Sequence, residues 1–322
     1  MLEKPLITIG MAVYKPNEEW FIEQLQSIDN QDYEPIELLI WNDSPLDYDC
    51  KDIVAKTVKR VSYQILDNGK NNGVTKAFEL VTAQAHGRLI AYSDQDDIWN
   101  LHKISIMVDF MEQHPDCICC HSDVELIDEK GHTVRKTIFP EHLDKINKRK
   151  YQEKIFLTKN WNVGCAMMMQ TRAAKAAIPF PGMVYHDQWL EMYALSLGKF
   201  YYLPECLIQH RVHGNNNSQT LRGISDKKGY YAVKLKREID FFNYITASLP
   251  CKDMYKKEKK WILAREKYSQ DTNFFNFMNL FQYIRIRPTV TVFELILPFI
   301  PDFLFIKFVE GIRKEVRSLG YR

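Results

Sequence analysis

Through its first hundred residues the chain alternates short apolar runs with stretches whose apolar residues recur every three or four positions, and a polar loop joins each pair. Leu6 to Val13 reads as a buried strand, after which Asn17 caps a segment where Phe21, Leu25 and Ile28 keep helical spacing. The unit then repeats. Ile36 to Trp41 leads through Asn42-Asp43-Ser44-Pro45 to a helix near 52–58, and Tyr63 to Leu66 leads through 67–73 to a helix over 74–85. Arg88 to Tyr92 leads through a loop at 93–99 to a helix over 101–112. Four β-loop-α units in succession predict an α/β fold, a Rossmann-like and mostly parallel sheet with helices on both faces. In such sheets ligands bind beyond the carboxyl ends of the strands. Tyr14-Lys15, Asn42-Asp43, Asn71-Asn72-Gly73 and Asp94-Gln95-Asp96-Asp97 all stand there, so paired strands would gather them around one crevice.

After about residue 116 the pattern turns to mixed strands around the turn Asp128 to Gly131. Helices are expected near 151–158 and 171–177 and, beginning after Asp187, to Gly198, with strands near 200–203 and 207–211. Residues 1–226 thus read as one catalytic-size domain whose halves meet near 115. Residues 227–322 read as a helical C-terminal appendage, basic at first and later aromatic and apolar. That appendage carries 19 Lys and Arg against 10 Asp and Glu, while the rest of the chain is net acidic. A solvated set of Lys-rich helix faces and a contact with an anionic membrane surface both account for this segregation. The apolar stretch 290–309 holds Glu294, Pro298, Pro301, Asp302 and Lys307, which excludes a membrane-spanning helix and leaves a segment that lies on a membrane or packs on the catalytic domain.

With 46% hydrophobic and 26% charged residues the chain is a folded globular protein. Its seven cysteines sit among apolar residues without paired Cys-x-x-Cys spacing, which argues against zinc and against a disulfide framework. No signal-peptide pattern precedes the first strand, so a cytoplasmic protein is expected, with a peripheral place on the inner membrane face open.

The candidate chemistry is acidic. Three carboxylates in Asp94 to Asp97 repel one another unless a cation is present, and magnesium or manganese suits one or two Asp side chains facing a diphosphate. The same residues also suit an ordinary helix N-terminus. Asp43 is either a turn former or an acceptor for the imide N–H of a uracil or thymine base. Asn72-Gly73 opens a helix whose free N–H groups, with Lys76 in its first turn, suit a phosphate or simply a cap. Asp187 is an N-cap or a general base for an acceptor hydroxyl. In His210 to Ser218, Arg211 suits phosphate charge and His213 a metal shell, although a polar loop explains them as well.

Taken together, Ile9 to Lys15, Asp43, Asn72-Gly73-Val74, Ser93 to Trp99, Gly164 to Met168, His186 to Leu190 and Arg211 to Asn216 resemble the family 2 glycosyltransferases of the GT-A fold over residues 6–218. The form Ser-Asp-Gln-Asp-Asp-Ile-Trp, with His-Asp-Gln-Trp-Leu and Arg-Val-His-Gly-Asn-Asn, is similar to the bacterial rhamnosyltransferase-like branch. The resemblance implies an inverting enzyme of cell-surface polysaccharide synthesis. Ala12 and Tyr14 would lie in the donor loop with Asn72, Lys76 and Arg211, Asp43 on the base and Asp94 on the ribose or nearby phosphate. Asp96 and His213 would hold Mn or Mg, Asp187 would be the catalytic base, and Trp161, Gly164 and Trp189 would shape the acceptor pocket. The implied donor is dTDP-rhamnose, with UDP-hexoses as the alternative, and the implied acceptor is a saccharide, free or lipid-linked. No nucleic acid is expected as partner. Lys15-Pro16 departs from the small residue and Gly common in the family's donor loop, and His186 replaces a frequent Glu. A sugar-nucleotide-forming nucleotidyltransferase or a dinucleotide oxidoreductase would need a Gly-rich loop where Ala12 to Pro16 has none. A non-catalytic membrane scaffold would leave the crevice carboxylates unexplained.

Overall fold

The computed structural model describes residues 4–139, 147, 152, 163–213, 224–250 and 255–318. β1 (Ile7–Val13), β2 (Ile36–Asn42), β3 (Ser62–Leu66) and β4 (Leu89–Ser93) pair in parallel in the order β3-β2-β1-β4. α1 (Glu18–Asp29), α2 (Lys51–Thr57) and α3 (Val74–Gln84) are the crossovers between them, and α4 (Lys103–Gln113) follows β4. Ile7, Ile9, Met11 and Val13 alternate with Thr8 and Gly10, and all of these are buried, as a central parallel strand covered on both faces requires.

Beyond β4 the sheet becomes mixed. It continues through β8 (Met167–Gln170), β6 (Cys117–Ile127), β9 (Lys199–Arg211) and β5 (Ile98–Trp99), with β7 (Thr133–Arg135) beside β6. β8 runs antiparallel to both β4 and β6, whereas β6 and β9 are parallel. The two strands expected at 200–203 and 207–211 are one strand, because Pro204 falls where the β6–β9 register shifts instead of ending the strand. The loop expected at 93–99 contains β5, which pairs Ile98 with Gln209 and Trp99 with Ile208 and so draws Asp94 to Asp97 against the end of β9. α5 (Thr171–Ala176) and α6 (His186–Leu197) complete this half. The helix expected near 151–158 lies outside the described residues.

The chain divides into two compact units, Met1–Val212 and His213–Arg322. In the second, Lys227–Gly229 and Tyr230–Leu235 run into α7 (Lys236–Ser248), followed by α8 (Lys256–Gln270), α9 (Phe274–Phe281), α10 (Pro288–Ile296) and α11 (Asp302–Ser318). Its interior is organised by a buried cation. The Arg265 guanidinium donates to both oxygens of buried Glu294, at 2.7 and 2.5 Å, and also to Glu238, while Tyr230 donates to Glu294 at 2.7 Å. Burial raises the Glu238 pKa, but Arg265 and its neighbours more than reverse this and bring it to about 2. Among the described residues no helix is long and apolar enough to cross a membrane.

Candidate active site

Hydrogen bonds tie the loops at the carboxyl ends of the parallel strands to one another. The Tyr14 N–H donates to Gln95 Oε1 at 2.8 Å, and Gln95 Nε2 donates back to the Tyr14 carbonyl at 3.2 Å. Lys15 N–H donates to Ser44 Oγ at 3.1 Å. The loops after β1, β2 and β4 are thereby held as one rim, with the Tyr14 ring about half exposed on it and Ala12 half-buried just inside β1.

Asp43 is buried at the end of β2, and its two oxygens accept the Asn72 and Gly73 N–H groups, each at 2.8 Å. The Asn72 side-chain amide adds a third bond at 3.1 Å. Gly73 makes the turn into α3 at φ +80°, a conformation that side chains with a Cβ rarely adopt. Asp43 therefore fixes the loop before α3, and each of its oxygens retains acceptor capacity. Lys76, in the first turn of α3, pairs with buried Glu79, whose other oxygen accepts the Phe180 N–H at 2.6 Å. Thr75 Oγ1 donates to the Val184 carbonyl at 3.0 Å, linking the start of α3 to the segment that enters α6.

At the centre stand Asp94, Asp97, Cys165 and His210, each with one ligand-type atom within 4.8 Å of those of the others. Asp97 Oδ1 accepts from His210 Nδ1 at 2.8 Å and from Arg211 N–H at 3.1 Å, across more than 110 residues of sequence. Burial pushes the Asp97 carboxyl up, but the charge and hydrogen bond of His210 more than reverse it, so its pKa is lowered. Burial disfavours the charged His210 imidazolium, but the neighbouring carboxylates, led by Asp97, overcome this and bring its pKa to about 9. The pair is therefore ionic. Asp94 has the opposite fate. Burial, then the charges of Asp97 and Asp96, push it up to about 8, with Asp187 adding in the same direction and His210 opposing. Gln24, buried in α1, steadies it by donating to Ser93 Oγ at 2.9 Å, and Ser93 donates in turn to the Asp94 carbonyl.

A divalent cation fits this arrangement. Asp94 is a carboxyl that burial and then its anionic neighbours keep from ionising, and Asp97 Oδ2 is buried without a hydrogen-bond partner. Both features call for positive charge, and hard oxygen donors suit magnesium or manganese. Cys165 is a poor ligand for such an ion, since burial and then the Asp97 and Asp94 charges keep its thiol protonated. Lys103 lies behind the cluster, fully buried, donating to the Cys165 carbonyl at 2.5 Å with its ammonium 3.2 Å from the Trp99 ring centroid. Burial brings its pKa down to about 7, opposed by Cys165, Asp97 and Asp94.

Asp187 occupies the first turn of α6, 8% exposed, with Oδ1 accepting the Gln188 N–H at 2.6 Å. The start of α6 is set by Gly164. A Cβ there would stand 2.6 Å from His186 Nε2 and 3.4 Å from Asp187 Cβ, so only glycine permits the approach. His186 stacks on Phe78 with ring centroids 3.7 Å apart, and burial holds its pKa near 3.

Three of the residues named from the sequence are engaged within the fold. Arg211 is 2% exposed and binds the protein itself: Nε donates to the Asp96 carbonyl at 3.1 Å, Nη1 to the carbonyls of Asp128 and Glu129, and Nη2 to Glu23 at 2.6 Å. Through these bonds it positions the acidic turn. Replacing it by methionine should cost about 2–4 kcal/mol, seen as a lower urea midpoint, because Glu23 and three carbonyls lose their donor. An unchanged midpoint would refute this. Trp189, expected in the acceptor pocket, is a core residue, 1% exposed with its indole N–H donating to the Ala177 carbonyl at 2.8 Å. Gly164, also expected there, is buried as the spacer against α6. Asp96 is half-buried beside the cluster, His213 is the first residue of the second unit, and Trp161 lies outside the described residues. Lys103, Cys165 and His210 had no role assigned from sequence. Of these only Lys103 carried a signal, a charge on the apolar stripe of Met107 and Met111.

A parallel sheet whose strand-end loops gather a carboxylate cluster, continued by a mixed half, is an α/β fold of the GT-A type. The profile described as Glycosyl transferase family 2 matches residues 8–176, just over half of the sequence, and the chain belongs to that family and is a glycosyltransferase. It is 27% identical over 243 residues to an uncharacterized glycosyltransferase of Methanocaldococcus jannaschii, covering 72% of this chain and 80% of the relative. It is 26% identical over 185 residues to WfgD of Escherichia coli, a UDP-Glc:α-D-GlcNAc-diphosphoundecaprenol β-1,3-glucosyltransferase, covering 58% and 68%. Three longer Rickettsia glycosyltransferases also match, and the chain spans 21% of each. Among solved structures, the mannosyltransferase PcManGT of Pyrobaculum calidifontis, in complex with GDP-Man and Mn2+, superposes with a TM-score of 0.54 over 90% of this chain and 76% of its own; at 14% identity the likeness is one of fold.

Proposed function

We propose that this glycosyltransferase transfers a sugar, with inversion, from a nucleotide-diphosphate donor to a hydroxyl of a saccharide in cell-surface polysaccharide synthesis. The observation that carries the reading is the gathering of Asp94, Asp97 and His210, whose ligand-type atoms lie within 4.8 Å of one another, where the loop after β4 meets the end of β9. Asp94 and Asp96, with Asp97 behind them, are the residues we assign to a divalent ion and the diphosphate. A bound cation would supply positive charge against the diphosphate as it leaves. Asp43 and the Asn72-Gly73 turn form the base side of the site, with Ala12, Tyr14 and Lys76 on the donor rim. Asp187 accepts the proton of the acceptor hydroxyl as that oxygen bonds to the anomeric carbon, while the bond from that carbon to the phosphate oxygen breaks. One displacement inverts the centre.

The form of Ser93 to Trp99 makes dTDP-rhamnose our first donor, with UDP-hexoses second. The WfgD likeness supports a lipid-linked saccharide as acceptor, and the basic second unit supports work at the cytoplasmic face of an anionic membrane. Purified protein with Mn, screened against a panel of nucleotide sugars, should be thermally stabilised most by dTDP-rhamnose. Greater stabilisation by another sugar nucleotide would replace that donor, and none by any of them would remove the nucleotide-diphosphate donor from the proposal.

A further inference from the structure

We infer that the outer face of α9 is a membrane-seating surface that enters the headgroup region of an anionic bilayer. The inference rests on the reading above that the acceptor is met at a membrane. α9 reads Phe-Phe-Asn-Phe-Met-Asn-Leu-Phe and begins at Asn273, whose side chain accepts the Asn276 N–H. Leu280 is fully buried on its inner side, and Phe277 packs edge-on against Tyr268. The opposite side carries Phe274 at 72% exposure and Phe275 at 82%, with Met278 and Phe281 following at the spacing of one helical stripe. Phe299 and Phe303 of the same unit are exposed as well. An apolar stripe of this kind, on the order of several hundred Å2, is costly in water unless something covers it.

Charge selects the occupant. Residues 227–322 hold 19 basic against 10 acidic side chains, including Lys256, Lys257, Lys259 and Lys260 at the start of α8 and Lys307 on α11. A second copy of the chain would set that excess against itself, whereas anionic lipid headgroups complement it. Exposed aromatic side chains and an excess of lysines in one compact unit, whose described helices are not long and apolar enough to span, have the composition of an interfacial anchor.

Full-length protein should float with vesicles of phosphatidylcholine containing about one-third phosphatidylglycerol, and at least about tenfold less well with phosphatidylcholine alone. Phe274→Ser/Phe275→Ser should weaken the anionic-vesicle affinity about a hundredfold, because two rings lose their burial. In Phe275→Trp, those vesicles should shift the added tryptophan's emission to the blue. Equal binding by the double serine variant, or an unshifted emission, overturns the inference. So does a wild-type dimer that the serine variant dissociates while its vesicle affinity holds. Nucleotide-sugar stabilisation measured without lipid reads the glycosyltransferase chemistry separately, and it should be the same in wild type and both variants.

Discussion

Replacing Asp187 by asparagine is expected to lower the rate of sugar transfer about a thousandfold while leaving donor affinity within about a factor of two. The substitution keeps the shape of the side chain and an oxygen that can accept the Gln188 N–H. The packing of His186 and Gly164 that seats α6 is therefore undisturbed. What is lost is a carboxylate able to take a proton, and the first turn of a helix favours an anion at that place. Because the donor rim belongs to the β1, β2 and β4 loops, binding of the sugar nucleotide should not register the change. Single-turnover transfer and donor titration on the same sample separate the two quantities. A variant within tenfold of the wild-type rate would exclude Asp187 as the base.

The carboxylates of this site were legible because each stands at a position that local pattern marks. Asp43 and Asp94 follow apolar strands, and Asp187 opens an apolar helix. Periodicity also gave the four parallel strands, since β1, β2 and β4 are buried on both faces and read as near-continuous apolar runs. What pattern did not give is pairing over distance. Nothing near Ile98-Trp99 signals a strand, because its partners on β9 are more than 100 residues away. That pairing is what brings His210 to Asp97. For Arg211 and Trp189 the sequence did not show which partners they meet in the fold. A guanidinium serves carbonyls and a carboxylate as readily as phosphates, and an indole serves a core as readily as a sugar, so residue type alone does not choose.

Asp94→Asn should weaken Mn binding at least about a hundredfold at pH 8 and abolish the metal requirement of donor binding. The wild-type carboxyl, with a pKa of about 8, is largely protonated at pH 7, so each ion bound there must displace close to one proton. Wild-type Mn affinity should then rise by up to about tenfold per pH unit as pH approaches 8 and level off above it, with proton release visible by calorimetry in buffers of different ionisation enthalpy. The stability of the metal-free protein should move the opposite way. A carboxyl raised from 3.8 to about 8 holds in the fold a proton that the unfolded chain has lost, so stability falls as pH rises from about 4 to about 8. His210, raised from 6.5 to about 9, adds stability that is complete below 6.5 and is lost as pH rises through 9. Asparagine at 94 removes the first decline and, by taking a negative charge from beside His210, reduces the second. The variant should therefore be the more stable protein without metal at pH 8 and the less responsive one with it. Unaltered Mn affinity in the variant, or a wild-type affinity independent of pH between 6 and 8, would take Asp94 out of the metal site and leave its crowding by Asp96, Asp97 and Asp187 without a use.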